Sequence, residues 1–331
     1  MKSVGIVGTG SFLPPKVLTN FDLEKIVDTS DEWIRTRTGI QERRIAEEGV
    51  ASSDLGVKAA KLAIEDAKID PRKIDLIIVP TVTPDTIFPS TACHIQRQLG
   101  VYHHTPAFDL AAACSGFVYA LEAAKSFIAA GVYETVLVVA AETLSKITDW
   151  KDRSTCVLLA DGAGAVILQP VKEGYGFIKS RLAADGRAGD LLELPGGGSR
   201  HPATHQTVDE RLHYLKMRGN ELFKLGVRLS SMVAHHLLEE CQIDPDQVDL
   251  VIMHQANIRI MEAVAQRLKI PMEKVFVNIH KYGNTSAASC AIALDEAKKE
   301  GRLKEGDMIL FLTIGGGLTW AASLLRWGGW L

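Results

Sequence analysis

No CxxC pair occurs anywhere in the chain, and cysteine is sparse. The five cysteines among 331 residues (Cys93, Cys114, Cys156, Cys241, Cys290) are odd in number and scattered. This argues against a disulfide framework or a structural zinc site and for reduced thiols in a cytoplasm. Charge of one sign is missing too. With 37 Lys and Arg against 40 Asp and Glu, net charge is −3 and the isoelectric point about 6.4. Neither a nucleic-acid backbone nor an anionic membrane is therefore the expected partner. No low-complexity linker breaks the chain. The apolar stretch at residues 4–7 runs at once into Gly8, Gly10, Pro14 and Pro15, too short for a signal peptide. Residues 308–325 are uncharged and near the length of a membrane span, but Gly315, Gly316 and Gly317 in their middle suit a tight turn between two buried strands. What is left is ordinary globular composition, 47% hydrophobic and 23% charged. That suffices for one large core or two packed ones.

Internal similarity is the strongest organisational signal. Residues 65–79 align with residues 239–253 at a constant offset of 174 positions. The identical pairs are Glu65/Glu239, Ile69/Ile243, Asp70/Asp244, Pro71/Pro245, Asp75/Asp249, Leu76/Leu250 and Ile78/Ile252. Each copy reads as a helix end, an Asp-Pro turn and an apolar β-branched run typical of a buried strand. Near the same offset, residues 136–140 match residues 309–313 as another buried strand. An offset of over half the chain indicates a duplicated domain, not a short solenoid repeat. Helical patterns over residues 55–67, 116–130, 220–240 and 258–268 alternate with the strands, which gives an α/β layered fold.

Three positions lie where strands end and helices begin, the usual place for chemistry in such sheets. In the segment 108–117, a short strand passes through Ala111, Ala112 and Ala113 into Cys114, and a helix follows until Gly131. Small neighbours permit a sharp turn, and free helix-start N–H groups favour a thiolate and can hold a negative oxygen. The other four cysteines sit in apolar or helical runs and read as inert. The apolar strand at 248–253 ends in His254, Gln255, Ala256 and Asn257. Taken alone, His254 would more often be a hydrogen-bonded structural residue, but it lies on the duplicated element. The third position, Tyr282-Gly283-Asn284-Thr285-Ser286, precedes an Ala-rich helix near the place that pairs with Cys114. On its own Asn284 reads equally as a turn residue. His201 and His205 sit in a polar loop without carboxylate partners, so no metal is expected.

The strings DLAAACSGF, HQAN and YGNTSAAS, with WIRTRTGIQERR at residues 33–44 and GGGLTW at residues 315–320, closely resemble β-ketoacyl-acyl carrier protein synthase III. This family of the thiolase-like superfamily starts fatty-acid chains, and the resemblance covers essentially the whole chain. It implies a duplicated αβαβα layered fold with two pseudo-symmetric halves. Residues 1–173 would carry the nucleophile, and residues 174–331 the histidine and asparagine. Cys114 would take an acyl group from acyl-CoA, while His254 and Asn284 assist decarboxylation of malonyl-acyl carrier protein and the carbon–carbon bond forms. The N–H groups of Cys114 and Gly316 would hold the oxyanion. CoA would meet Thr29, Trp33, Arg37, Arg153, Gly219, Phe223, Asn257 and Arg259. Lys224, Arg228 and Arg259 would face the acidic carrier protein. Phe88 would close the acyl pocket across a homodimer. No cofactor is implied beyond the acyl-CoA and malonyl-acyl carrier protein substrates. The loop at 196–210 and the tail at 327–331 look longer than the family pattern.

Other readings use the same residues differently. A thiolase-like relative making a polyketide, quinolone or ester would keep Cys114, His254 and Asn284. A nicotinamide oxidoreductase would need a dinucleotide loop. Gly8-Thr9-Gly10 begins one, but Leu13 stands at the third glycine position and Pro14-Pro15 blocks the helix. A binding module would keep the fold and form no acyl adduct.

Overall fold

The computed structural model describes residues 2–101 and 104–331. Its strands in chain order are β1 (Val4–Phe12), β2 (Val17–Thr19), β3 (Glu42–Arg44), β4 (Leu76–Pro80), β5 (Ala107–Leu110), β6 (Val136–Thr143), β7 (Asp161–Pro170), β8 (Gly176–Ala184), β9 (Leu192–Glu193), β10 (Lys216–Met217), β11 (Leu250–Met253), β12 (Met308–Gly315) and β13 (Thr319–Arg326). A five-stranded sheet has the order β1-β7-β6-β4-β5 and a four-stranded sheet the order β8-β13-β12-β11. Strand senses repeat: β4 is parallel to β6 as β11 is to β12, and β7 is antiparallel to both neighbours as β13 is. The counterpart of β5 is reduced to a parallel bridge between Val251 and Val275. The duplication read from residues 65–79 and 239–253 is thus a duplication of sheet topology.

Conserving the repeat has a local reason. The two Asp-Pro steps become short 3-10 turns, Pro71–Lys73 and Pro245–Gln247, that return a helix end to a buried strand. Asp75 then accepts from the N–H of Thr135 at 2.8 Å, and Asp249 from the N–H of Met308 at 2.8 Å. In each half, the carboxylate accepts from a backbone N–H where the neighbouring strand begins.

Successive residues of the central strands face different layers, as the strand period of two requires. Leu76, Ile78, Val136, Val138, Ile252 and Phe311 face a core shared with the helices Gly116–Ala129 and Ala288–Lys299, which lie between the sheets. Ile77, Val79, Leu137 and Val139 pack outward against the helix Ser52–Ala67. Val251, Met253, Leu310 and Leu312 pack outward against Gly219–Cys241 and Ile258–Leu268. The order is helix, sheet, helix, sheet, helix. Gly8 and Gly10 lie inside β1, pressed on the helix Ser52–Ala67. A Cβ on Gly10 would come within 2.4 Å of the Ala59 carbonyl oxygen. These glycines allow close strand–helix packing and form no phosphate loop.

The uncharged run at 308–325 folds as β12, a turn and β13, and among the described residues no helix is long and apolar enough to cross a membrane. The tail is tied down: Trp327 is buried, Trp330 donates from Nε1 to the Ile6 carbonyl at 3.0 Å, and the two indoles stack edge to face.

Candidate active site

Cys114 lies on a bend. After β5, Ala113 takes a left-handed conformation (φ +47°) inside the turn Ala113–Ser115, and the helix Gly116–Ala129 begins directly after it. Such a φ costs a non-glycine residue about 1 kcal/mol and persists because neighbours enforce it. Thr319 Oγ1 donates to the Ala112 carbonyl at 2.9 Å and Ser115 Oγ to the Thr319 carbonyl at 3.1 Å, clamping the bend to β13. Gly315 passes so close that a Cβ there would sit 2.6 Å from the Cys114 amide nitrogen. Burial pushes the Cys114 thiol up to about 12, against a smaller opposing contact from Ser286, and the Glu142 carboxylate adds to the rise. Desolvation of the sulfur thus opposes the thiolate that the helix start favours.

His254 follows β11 and is 6% exposed. Its Nδ1 lies 2.7 Å from Ser289 Oγ, and its amide donates to the Leu312 carbonyl at 2.8 Å. Burial pushes the imidazole down to about 4, so it is neutral at neutral pH. Gln255 fixes the following backbone, donating from Nε2 to the Met253 and Phe276 carbonyls and accepting at Oε1 from the amides of Asn278 and Ile279.

Asn284 is held through its main chain. Its N–H donates to the Leu158 carbonyl at 2.9 Å, and its carbonyl accepts from the Ala160 N–H at 2.9 Å. Gly283 needs no Cβ there (φ +65°): one would lie 3.0 Å from the Leu158 oxygen. Asn284 Oδ1 accepts from the Ser286 amide at 2.8 Å, which assigns the other end of the side chain, Nδ2, to the cavity. Ser286 is itself left-handed (φ +50°) two residues before the central helix Ala288–Lys299, as Ala113 is three residues before Gly116–Ala129 in the other half.

Two cavities meet at Cys114. The larger, about 560 Å³, is lined by Trp33, Arg37, Gly219, Phe223, Asn257 and Arg259 and ends on Cys114, His254 and Asn284. The smaller, about 170 Å³, is bounded by Cys114, Asn284, Ser286 and Gly316 and by apolar Val82, Leu144, Ile147, Leu159 and Leu215. Six of the eight expected CoA residues thus share one tunnel. Thr29 and Arg153 do not line it. The Arg153 guanidinium instead lies 4.9 Å over the Trp33 ring and donates to the Asp28 carbonyl, on a shallow adjoining depression. The Arg259 guanidinium sits 5.5 Å over Phe223. Lys224 belongs to the tunnel wall, while Arg228 is exposed one turn on. Phe88 lines neither cavity and is 84% exposed. His201 and His205 are exposed, as expected.

Several lining residues carry no sequence signal. Leu192 and Met217 pair across the short strands β9 and β10 and border both cavities. The wall of the smaller chamber comes from separate segments without periodicity. Ser289 lies in the quoted YGNTSAAS string, where a hydroxyl at the start of a helix was the available clue.

The sequence model of 3-oxoacyl-[acyl-carrier-protein (ACP)] synthase III matches residues 108–186, and that of its C-terminal part matches residues 238–327. The chain is 55% identical over 325 residues to a beta-ketoacyl-[acyl-carrier-protein] synthase III of Caldanaerobacter subterraneus subsp. tengcongensis, covering 98% of each. Among solved structures it is similar to 3-oxoacyl-[acyl-carrier-protein] synthase III from Aquifex aeolicus, with 52% identity, a TM-score of 0.90 and coverage of 98% of this chain and 100% of that one. The priming beta-ketosynthase of the R1128 polyketide pathway also aligns, at 33% identity and a TM-score of 0.91, over 98% of this chain and 96% of that one.

Proposed function

The chain belongs to the β-ketoacyl-acyl carrier protein synthase III family of condensing acyltransferases, and we propose that it starts fatty-acid chains by joining a short acyl group from acyl-CoA to malonyl-acyl carrier protein through an acyl-Cys114 intermediate. The observation that carries this reading is the meeting of Cys114, His254 and Asn284 at the floor of one tunnel, with an apolar chamber beyond.

In the first half-reaction the Cys114 sulfur attacks the acyl-CoA carbonyl. Its proton passes to His254 Nε2 and then to the departing CoA sulfur. Ser289 Oγ can accept from or donate to Nδ1, so it supports either tautomer of neutral His254. The amides of Cys114 and Gly316 hold the oxyanion. In the second half-reaction, malonyl-acyl carrier protein loses carbon dioxide, and its thioester oxygen gains negative charge. Neutral His254, in the tautomer that carries its hydrogen on Nε2, and Asn284 Nδ2 donate to that oxygen. The enolate carbon attacks the acyl carbonyl, and the Cys114 thiolate leaves and recovers a proton. We read no cofactor into this scheme. The first half of the chain supplies the nucleophile and the second half both donors.

The remaining assignments follow from placement. Arg37 and Arg259 suit CoA phosphates, and the Trp33–Arg153 pair suits an adenine ring. Gly219, Phe223 and Asn257 complete that path, and Thr29 is assigned to CoA by the family resemblance alone. Lys224 and Arg259 line the tunnel and Arg228 is exposed one turn beyond Lys224, and the three would meet an acidic carrier protein. The exposure of Ile87 and Phe88, 83% and 84%, fits a homodimer in which Phe88 closes the partner's chamber. Five free thiols suit a cytoplasmic setting. Incubation with acetyl-CoA and malonyl-acyl carrier protein should yield 3-oxobutanoyl-acyl carrier protein by mass spectrometry. Turnover with another acyl acceptor, and none with malonyl-acyl carrier protein, would favour a polyketide- or ester-forming relative.

A further inference from the structure

Behind the nucleophile lies a carboxyl group that the condensation scheme does not use. Glu142, near the end of β6, is 0% exposed, and its hydrogen-bond partners are all neutral. Thr83 Oγ1 donates to it at 2.7 Å, Thr81 Oγ1 and the Val82 amide at 3.1 Å, and the Thr83 amide at 3.2 Å. A carboxyl group placed among neutral donors in the interior is costly unless something uses it. Burial pushes it up to about 7.

Facing it is Ser286. Its hydroxyl is buried, makes no hydrogen bond of good geometry, and lies against both the Glu142 carboxyl and the Cys114 sulfur. Its left-handed backbone and its amide bond to Asn284 hold it there. Val82, Ser286 and Cys114 share the wall of the smaller chamber. An unpartnered buried hydroxyl is expensive, so its place between sulfur and carboxyl needs a reason.

We propose that Glu142 and Ser286 are positioning residues for Cys114: the carboxyl group sets the direction of the Ser286 O–H, and so decides whether the sulfur is held as a thiol or supported as a thiolate. With Glu142 ionised, the Ser286 hydrogen points to the carboxylate. The thiol then donates to the Ser286 oxygen, and the nearby charge opposes a second negative group. With Glu142 protonated, its own hydrogen goes to Ser286 Oγ, and the Ser286 hydrogen turns to the sulfur. The other titratable groups around Cys114 are Cys290, from the helix Ala288–Lys299, and His254, from the end of β11. Burial pushes the Cys290 thiol up and His254 down, so both are neutral near pH 7 and Glu142 is the local charge. The inference rests on the reading of Cys114 as the nucleophile.

The test is the pH dependence of Cys114 alkylation by iodoacetamide, read on its peptide by mass spectrometry, with thermal melting alongside. Glu142→Gln should move the profile to lower pH and raise the rate at pH 8 about tenfold, the effect of about one pKa unit. Glu142→Asp keeps the charge and should stay near the unmodified profile. Ser286→Ala removes the donor that supports the thiolate while Glu142 holds its proton, and should slow alkylation about threefold or more at about pH 6. Coincident profiles for Glu142→Gln and the unmodified protein, or equal shifts for Gln and Asp, would overturn the proposal. Should Glu142→Gln fail to fold, Ser286→Ala decides: an unchanged or faster rate at about pH 6 refutes it. Failure of the nucleophile reading looks different, because Cys114 of the unmodified protein would then take no acyl group from acetyl-CoA.

Discussion

Replacing Asn284 with Ala removes two things that the structure separates. Oδ1 accepts from the buried Ser286 amide at 2.8 Å, and Nδ2 is left to face the tunnel. Losing the acceptor strands a buried N–H, at about 1–3 kcal/mol of stability. Losing the donor at the developing enolate oxygen should slow decarboxylation about 10²–10³-fold, or about 2.7–4 kcal/mol of transition-state stabilisation. Acylation of Cys114 relies on the backbone amides of Cys114 and Gly316 and should fall less than about tenfold. Asn284→Asp separates the effects. It keeps an acceptor for Ser286, so the melting temperature should recover, but it places a negative oxygen where the enolate forms, and decarboxylation should stay at least as slow. The assay compares acetyl-Cys114 formation from labelled acetyl-CoA with labelled carbon dioxide released from malonyl-acyl carrier protein. If Asn284→Ala lost both in equal proportion, the side chain would serve the nucleophile or the fold, and the argued division of labour would be wrong.

Two further outcomes follow from the same geometry. Because burial holds His254 at about 4, below its unfolded value near 6.5, the folded state resists its protonation. Its contribution to stability is complete above pH 6.5 and lost as pH falls toward 4, and condensation should not lose a step near pH 6.5 through this residue. A His254 imidazole resonance titrating near 6.5 by NMR would contradict that. Phe88→Ala should lengthen the acyl chains accepted while acetyl transfer persists. An unchanged chain-length profile would hand the limit to Leu144, Ile147 or Leu215 in the chamber wall.

Much of the layered architecture was legible because it is written in periodicity and repetition. The pattern over 258–268 is the helix Ile258–Leu268, and that over 220–240 is Gly219–Cys241. The helix read from residue 55 starts at Ser52, because Asp54 Oδ2 accepts from the Ala51 amide and extends its first turn. The offset between Asp75 and Asp249 became a shared hydrogen-bond role that no composition would reveal. Properties that depend on several segments were harder to read. The thiolate expected at Cys114 followed from its helix start, a local feature, whereas the desolvation that opposes it comes from segments far away in sequence. Glu142 carried no sequence signal, since its donors come from residues 81–83, far away in sequence. Leu13 and Pro14-Pro15 already argued against a nucleotide loop at Gly8 and Gly10, but the reason for these glycines, the helix Ser52–Ala67 packed against them, lies in another segment.

The central claim is that Cys114 carries the acyl group, and intact-mass and peptide spectrometry after exposure to acetyl-CoA address it directly. One acetyl group should appear on the Cys114 peptide and disappear on adding malonyl-acyl carrier protein. It should be absent from Cys114→Ala and present when Cys93, Cys156, Cys241 or Cys290 is changed to Ser. An acetyl group that persists in Cys114→Ala and is still discharged by malonyl-acyl carrier protein would contradict the account.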